Sequence, residues 1–143
     1  HHLEQYIMIN KNIISFNILK VSNHKFLENN CFVKDSQYKL LELNQDELDF
    51  NFNSKKNVPH KDKNYFVKRY FNHPIYKYKT YGVYVGDLLT SLIVTREVKV
   101  GDSSILRIMD YIGDENDIMY VSKYLYQIVI DKDYEYIDFM KKL

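Results

Sequence analysis

The sequence predicts an α/β (α+β) fold on one mixed sheet, an antiparallel meander followed by a βαβ unit, from three observations. Two Gly-Asp pairs, Gly86-Asp87 and Gly101-Asp102, separate the β-rich runs "YKYKTYGVYV", "LLTSLIVTREVKV" and "SSILRIMDYI". Two-residue loops containing Gly join antiparallel strands, although these lack the Asn-Gly order of the strongest hairpin signal. The third run is apolar on both faces, as a central strand covered on both sides would be. Finally, residues 115–130 carry Ile118, Val121, Leu125, Ile128 and Val129 at spacings of three and four, and "YEYIDF" follows at 134–139. A strand, a helix and a second strand make the last two strands parallel. Residues 76–112 are therefore expected to form three antiparallel strands, with 134–139 parallel beside 104–112.

The remaining elements read in chain order. The Ile-rich residues 6–22 predict one or two strands, with Asn10-Lys11-Asn12 as the turn between them. "YKLLEL", residues 38–43, is a further short strand. Residues 44–62 are polar and read as a loop, with a helical turn within 46–52. "DKNYFVKRYFN", residues 62–72, reads as a helix capped by Asp62. Phe66 with Tyr70, and Val67 with Phe71, form its apolar stripe, and Lys68 and Arg69 fall outside it. His73-Pro74 ends it, because the residue before proline is pushed out of the helical region.

Composition bounds the function. The 143 residues are 45% hydrophobic and 27% charged, which fits one soluble domain with a real core. Ala and Trp are absent, as codon bias in an AT-rich genome would produce; 14 tyrosines must serve largely as core or half-buried sheet residues. With 20 basic and 19 acidic residues the formal charge is +1, so no nucleic-acid partner and no anionic membrane is expected. No apolar run approaches the ~20 residues that span a bilayer, and no signal peptide is visible, so a cytoplasmic location is expected. His1–Gln5 resembles the remnant of an expression tag and is set aside, leaving 6–143 as one domain. Cys31 has no second cysteine for a disulfide or a zinc site, and His24 and His60 lie in loop-like sequence without metal spacing. No metal site is expected, and no G-x-S-x-G elbow marks a serine nucleophile.

The junction Gly113-Asp114-Glu115-Asn116-Asp117 is acidic where strand passes into helix. A helix N-terminus ordinarily favours phosphate. Here Asp114 followed by Asp117 is close to a capping box, and both carboxylates sit where the helix dipole favours negative charge. The same charges oppose a diphosphate at this helix end. No Gly-rich phosphate loop occurs elsewhere in the chain.

The segments "YFVKRYFNHPIYKYKTYGVY", "LIVTREV" and "ILRIMDYIGD", with "KVSNHKFLENN" upstream, resemble the GNAT acyltransferase superfamily, and within it GNAT-like domains of proteins that build bacterial surface polysaccharides. The resemblance covers about residues 13–139. It implies acyl transfer from acetyl-CoA or another acyl-CoA to an amino or hydroxy group of a sugar or nucleotide sugar. The backbone of Tyr111, Ile112 and Gly113 would hold the pantetheine. Two departures stand out. The superfamily's acyl-CoA pattern, [RQ]-x-x-G-x-[GA], is replaced by Tyr111-Ile112-Gly113-Asp114-Glu115-Asn116. A further helix and two strands are also implied beyond Leu143, so the chain is expected to be a fragment, a homodimer partner, or a sheet completed by something else. Together these departures predict weak or absent acetyl-CoA binding, and keep open a non-catalytic domain that binds a sugar or a partner protein.

Two acids are the candidate catalytic residues. If the strand is regular, Leu106, Ile108, Asp110 and Ile112 share one face and Arg107, Met109 and Tyr111 the other. Asp110 then stands on an apolar face and demands a partner. Tyr134, Tyr136 and Asp138 share a face of the last strand, so Asp110 and Asp138 come near each other if those strands are parallel neighbours. In the superfamily the corresponding strands splay and admit pantetheine, and a carboxylate there would act as general base. The alternative is that these acids pair with Arg69, Arg96 or Arg107. His73 is either a base or a structural residue at the helix stop. Lys55, Lys56, Lys61 and Lys63 are either a solvated loop or a contact for a nucleotide-sugar phosphate.

Overall fold

The computed structural model of the chain describes residues 3–13, 24–26, 37–47, 65, 67–73, 75–113 and 117–142. The strands are β1 (Leu3–Ile9), β2 (His24–Phe26), β3 (Tyr38–Leu43), β4 (Tyr78–Val85), β5 (Leu88–Val100), β6 (Ser103–Ile112) and β7 (Tyr136–Lys142). One α-helix, α1 (Asp117–Asp131), joins β6 to β7. A 3₁₀ turn spans Gln45–Glu47, and a π-helical turn spans Val67–Phe71.

All seven strands form one mixed sheet in the order β2-β1-β7-β6-β5-β4-β3. β3 through β6 are antiparallel neighbours, and β6 and β7 are parallel. The expected meander and βαβ unit are therefore both present. Each meander turn has Gly at its first position with φ +61°, left-handed backbone that glycine adopts without steric cost. That explains why Gly-Asp closes these hairpins as well as the reverse order would. The sheet continues past β7, because β1 pairs antiparallel with it from Leu3↔Lys142 to Ile9↔Tyr136, and β2 extends the sheet in parallel from β1. The N-terminal segment thus covers an edge that the sequence left open. His24, read as loop, is the first residue of β2 and pairs with Gln5. β1 begins at Leu3, within the segment set aside as tag.

α1 covers one face of the sheet. Val121, Leu125, Tyr126 and Val129 pack there with Met8, Tyr81, Val83, Ile93, Leu106, Ile108 and Ile137. Ile118 and Ile128 join from the edge of that cluster, as their helical spacing requires. Fully buried aliphatic side chains such as Ile93, Val121 and Val129 each contribute roughly 2 kcal/mol by leaving water. α1 ends with Asp133 at φ 55° and the Tyr134 N–H donating to the Val129 carbonyl at 3.0 Å. This is a Schellman closure in which Asp takes the place usual for Gly.

The opposite face is covered by the π-helical turn, where Tyr70 packs with Leu43, Leu92, Val94 and Ile112. Near β1, Ile7, Ile105 and Tyr136 form a smaller cluster, with Val98 against it. Asn72 N–H donates to the Val67 carbonyl at 3.0 Å, the i to i+5 bond that defines the π turn. The predicted helix over 62–72 is seen only in part. Asp62 and Phe66 lie outside the described residues, as do the second N-terminal strand, Cys31, His60, Lys55, Lys56, Lys61 and Lys63, and Asp114–Asn116.

Two bulges break the expected alternation. β5 meets β6 at Val94↔Asp110 and then at Thr95↔Ile108, so Met109 is the extra residue. Leu106 and Ile108 face α1, but beyond the bulge Tyr111 takes that face, while Asp110 and Ile112 turn to the other with Arg107. The predicted row of Leu106, Ile108, Asp110 and Ile112 is thereby corrected. A period of two cannot register an inserted residue. Tyr134 precedes β7 and packs on the α1 face, so it does not share a face with Tyr136 and Asp138. The second bulge, at Thr90, separates Val83↔Ser91 from Tyr84↔Leu89.

Candidate functional site where two parallel strands part

β6 and β7 pair at Leu106↔Ile137, Arg107↔Asp138 and Ile108↔Phe139 and no further. β6 runs on to Ile112, and β7 follows β1 to Lys142. The strands therefore part at their carboxyl ends, with the Met109 bulge one residue past the last pair. Carboxyl ends of strands in α/β sheets are where ligands ordinarily sit.

Asp110 stands just past this point, half-buried. Its Oδ2 accepts the Tyr70 hydroxyl at 2.5 Å and the Tyr65 hydroxyl at 3.0 Å, and its Oδ1 accepts the Tyr111 N–H at 2.8 Å. Burial, and then the hydrogen bond to Asp110, push the Tyr70 phenol far above its ordinary range. Tyr70 therefore stays protonated and donates to the carboxylate. The Arg69 guanidinium lies 5.8 Å from each of the Tyr65 and Tyr70 ring centroids. Its pKa is raised, first by the hydrogen bond with Tyr70. Asp110 thus has the partner that its position demanded. Neither tyrosine was singled out for this role. Their spacing of five puts them about 140° apart on an α-helix, and the π turn brings them round together.

Asp138 is different. It is fully buried, and Arg107 grips both of its oxygens, Nε to Oδ1 and Nη2 to Oδ2, each at 3.0 Å. This is a bidentate pair between register partners on neighbouring strands. The guanidinium pKa is raised, chiefly by that hydrogen bonding. Asp110 and Asp138 share a face, yet the register sets Arg107 and not Asp110 opposite Asp138. Of the expected arginine pairings, Arg107 with Asp138 is present.

The acidic junction also resolves in part. Asp117, the first residue of α1, is buried, and its Oδ2 accepts the Ser91 hydroxyl at 2.6 Å and the Thr90 hydroxyl at 3.0 Å. The Tyr111 hydroxyl donates to Ser91 Oγ at 3.1 Å, extending the chain to β6. The bulge at Thr90 lets two consecutive hydroxyls reach one carboxylate. Asp117 therefore ties the helix start to β5, where the sequence suggested a capping partner for Asp114. Gly113 has φ +127°, and a Cβ there would run into the Ser91 side chain. Its glycine identity is explained by that close approach. His73 Nδ1 accepts the N–H groups of Ile75 and Tyr76 at 3.2 and 3.0 Å, which makes His73 a turn former.

Among the described residues no group of His, Cys, Asp and Glu could hold a metal ion, and no helix is long and apolar enough to cross a membrane. No family model matches the chain, and no curated protein matches it. A crystal structure of a GCN5-related N-acetyltransferase from Anabaena variabilis ATCC 29413 is similar over 50% of this chain and 18% of that one, at 14% identity and a TM-score of 0.36. The match thus spans less than a fifth of that protein. A likeness of this extent decides neither family nor reaction.

Proposed function

We propose that the chain is a GNAT-like domain whose thioester ground is the parting of β6 and β7, and that it moves an acyl group from an acyl-CoA to an amino or hydroxy group of a sugar or nucleotide sugar. The observation that carries this reading is the parting itself: three parallel pairs, a bulge, and then a carboxylate on the opened edge. Main-chain groups of Tyr111, Ile112 and Gly113 would hold the pantetheine arm there. Asp110 is the proposed base. The acceptor nitrogen or oxygen attacks the thioester carbonyl, Asp110 takes its proton, the C–S bond breaks, and that proton passes to the departing thiolate, which leaves as the CoA thiol. Asp138 is the poorer base, since it is fully buried and both its oxygens are committed to Arg107.

The residues fit the two ends of an acyl-CoA unequally. The opened strand edge suits the narrow arm. The acidic helix start disfavours the diphosphate, and Asp117 there is turned toward Thr90 and Ser91. Weak cofactor binding follows. A second reading, a binding domain without catalysis, is favoured by the three donors already on Asp110. An acyl-transfer assay with acetyl-CoA and an amino-sugar panel separates the two. Transfer that is lost in Asp110→Asn supports the first; acetyl-CoA binding without transfer to any acceptor supports the second.

A further inference from the structure

One row of side chains crosses the sheet on the face away from α1. Tyr78 on β4, Arg96 on β5, Arg107 on β6 and Asp138 on β7 are successive register partners. Arg96 and Arg107 are therefore directly opposite each other on antiparallel strands, with Cα atoms about 5 Å apart. Like charges in that relation cost stability unless something answers them. Asp138 answers Arg107. Among the described residues no carboxylate pairs with Arg96; its guanidinium instead lies 4.3 Å from the Tyr76 ring centroid. A π face orients a guanidinium without using its N–H donors. Tyr76 is 46% exposed and its neighbour Ile75 77%, so this corner meets solvent. The next polar position along β6 on the same face is Asp110, across the Met109 bulge.

We propose that Arg96 and Arg107 form an anion subsite that holds the carboxylate or phosphate of a sugar-sized acceptor, against the aromatic wall of Tyr76 and Tyr78. Two forks on adjacent strands suit a planar or tetrahedral oxyanion, which each can bind through parallel N–H donors. Asp138 fixes one edge of Arg107 and leaves the rest of its fork for a ligand. An acceptor anchored there extends along the face toward Asp110. On the acyl-transfer reading the ligand is a sugar carrying one anionic group, a hexuronate or a sugar phosphate. The terms acceptor and sugar rest on the acyl-transfer reading; the anion subsite does not.

Calorimetry with glucose 1-phosphate, glucuronate and glucose, on the native chain and on Arg96→Gln, tests this. The expected result is saturable binding of at least one anionic sugar, weakened by added salt, no binding of glucose, and a loss of about tenfold or more in Arg96→Gln. Arg96→Lys should recover only part, because an ammonium keeps the charge but not the fork. Equal binding of glucose, unchanged affinity in Arg96→Gln, or no saturable binding of either anion up to about 10 mM overturns the proposal. Acetyl-CoA is titrated in parallel. Failure of acetyl-CoA to bind, with anionic sugar bound, removes acyl transfer and leaves the subsite standing. If Arg96→Gln weakens acetyl-CoA as much as the sugar, the pair holds cofactor phosphate, and the acceptor assignment is overturned.

Discussion

Asp110 and Asp138 carry the same charge on the same face of the sheet, yet their surroundings give them different work. Arg107 holds Asp138 in a buried pair, and removing one partner of such a pair strands the other. Asp138→Ala should therefore destabilise the fold by about 3 kcal/mol, toward the low end for buried pairs because Arg107 keeps part of its side chain in water. Asp110 is held by two phenols on Oδ2 and one N–H on Oδ1, and Asn at that position keeps an acceptor oxygen for the phenols while its amide nitrogen replaces the acceptor of the Tyr111 N–H. Asp110→Asn should cost about 1 kcal/mol in urea unfolding and, on the acyl-transfer reading, abolish transfer. A large loss of stability with transfer retained would reverse the two roles. The candidate acids were legible in the sequence as chemistry-bearing residues on apolar strands. Their division of labour was not, because it depends on which residue the parallel register sets opposite Asp138.

At the scale of elements, the two bulges decide what the sequence pattern could not. Alternation over "ILRIMDYI" reads correctly as far as Ile108 and then inverts, since Met109 has no partner on β5. The inversion moves Asp110 from the α1 face to the face of Tyr65 and Tyr70. The meander, the connecting helix and the parallel last strand were all legible, because they rest on local turns and on periodicity within one segment. The Thr90 bulge was hidden in "LLTSL", where two hydroxyls interrupt an apolar run. Their purpose appears only when Asp117 arrives from 26 residues away to meet Ser91. Asp117→Ala leaves the buried Ser91 hydroxyl without its acceptor, while Thr90 keeps the Val83 carbonyl, and should cost about 2 kcal/mol in urea unfolding. No change in the unfolding midpoint would show that the contact does not hold the helix start.

Across the whole molecule, the pairing of β1 with β7 joins the two ends of the sequence, a contact that no local signal announces. Buried phenols, among them Tyr70, Tyr81 and Tyr134, tie the core to pH. Burial, and then Glu42, push Tyr81 up to about 12. Tyr70 and Tyr134 rise further, from burial and then from hydrogen bonds to Asp110 and Glu97. In each the folded state holds its proton more tightly than the unfolded chain. Their contribution is fully present below about pH 10, where unfolded tyrosine titrates, and is lost as pH climbs toward the folded values. Urea midpoints should fall above about pH 10, with tyrosinate absorbance from these residues appearing together with unfolding. Free titration of all phenols in the folded chain near that pH would contradict this. The central claim is that the parting of β6 and β7 receives an acyl-CoA, and backbone amide chemical shifts during an acetyl-CoA titration test it most directly. The account predicts weak, saturable shifts at up to ~1 mM, concentrated at Met109–Gly113 and Phe139–Lys142. No shifts at that concentration, or shifts confined to other strands, would contradict it.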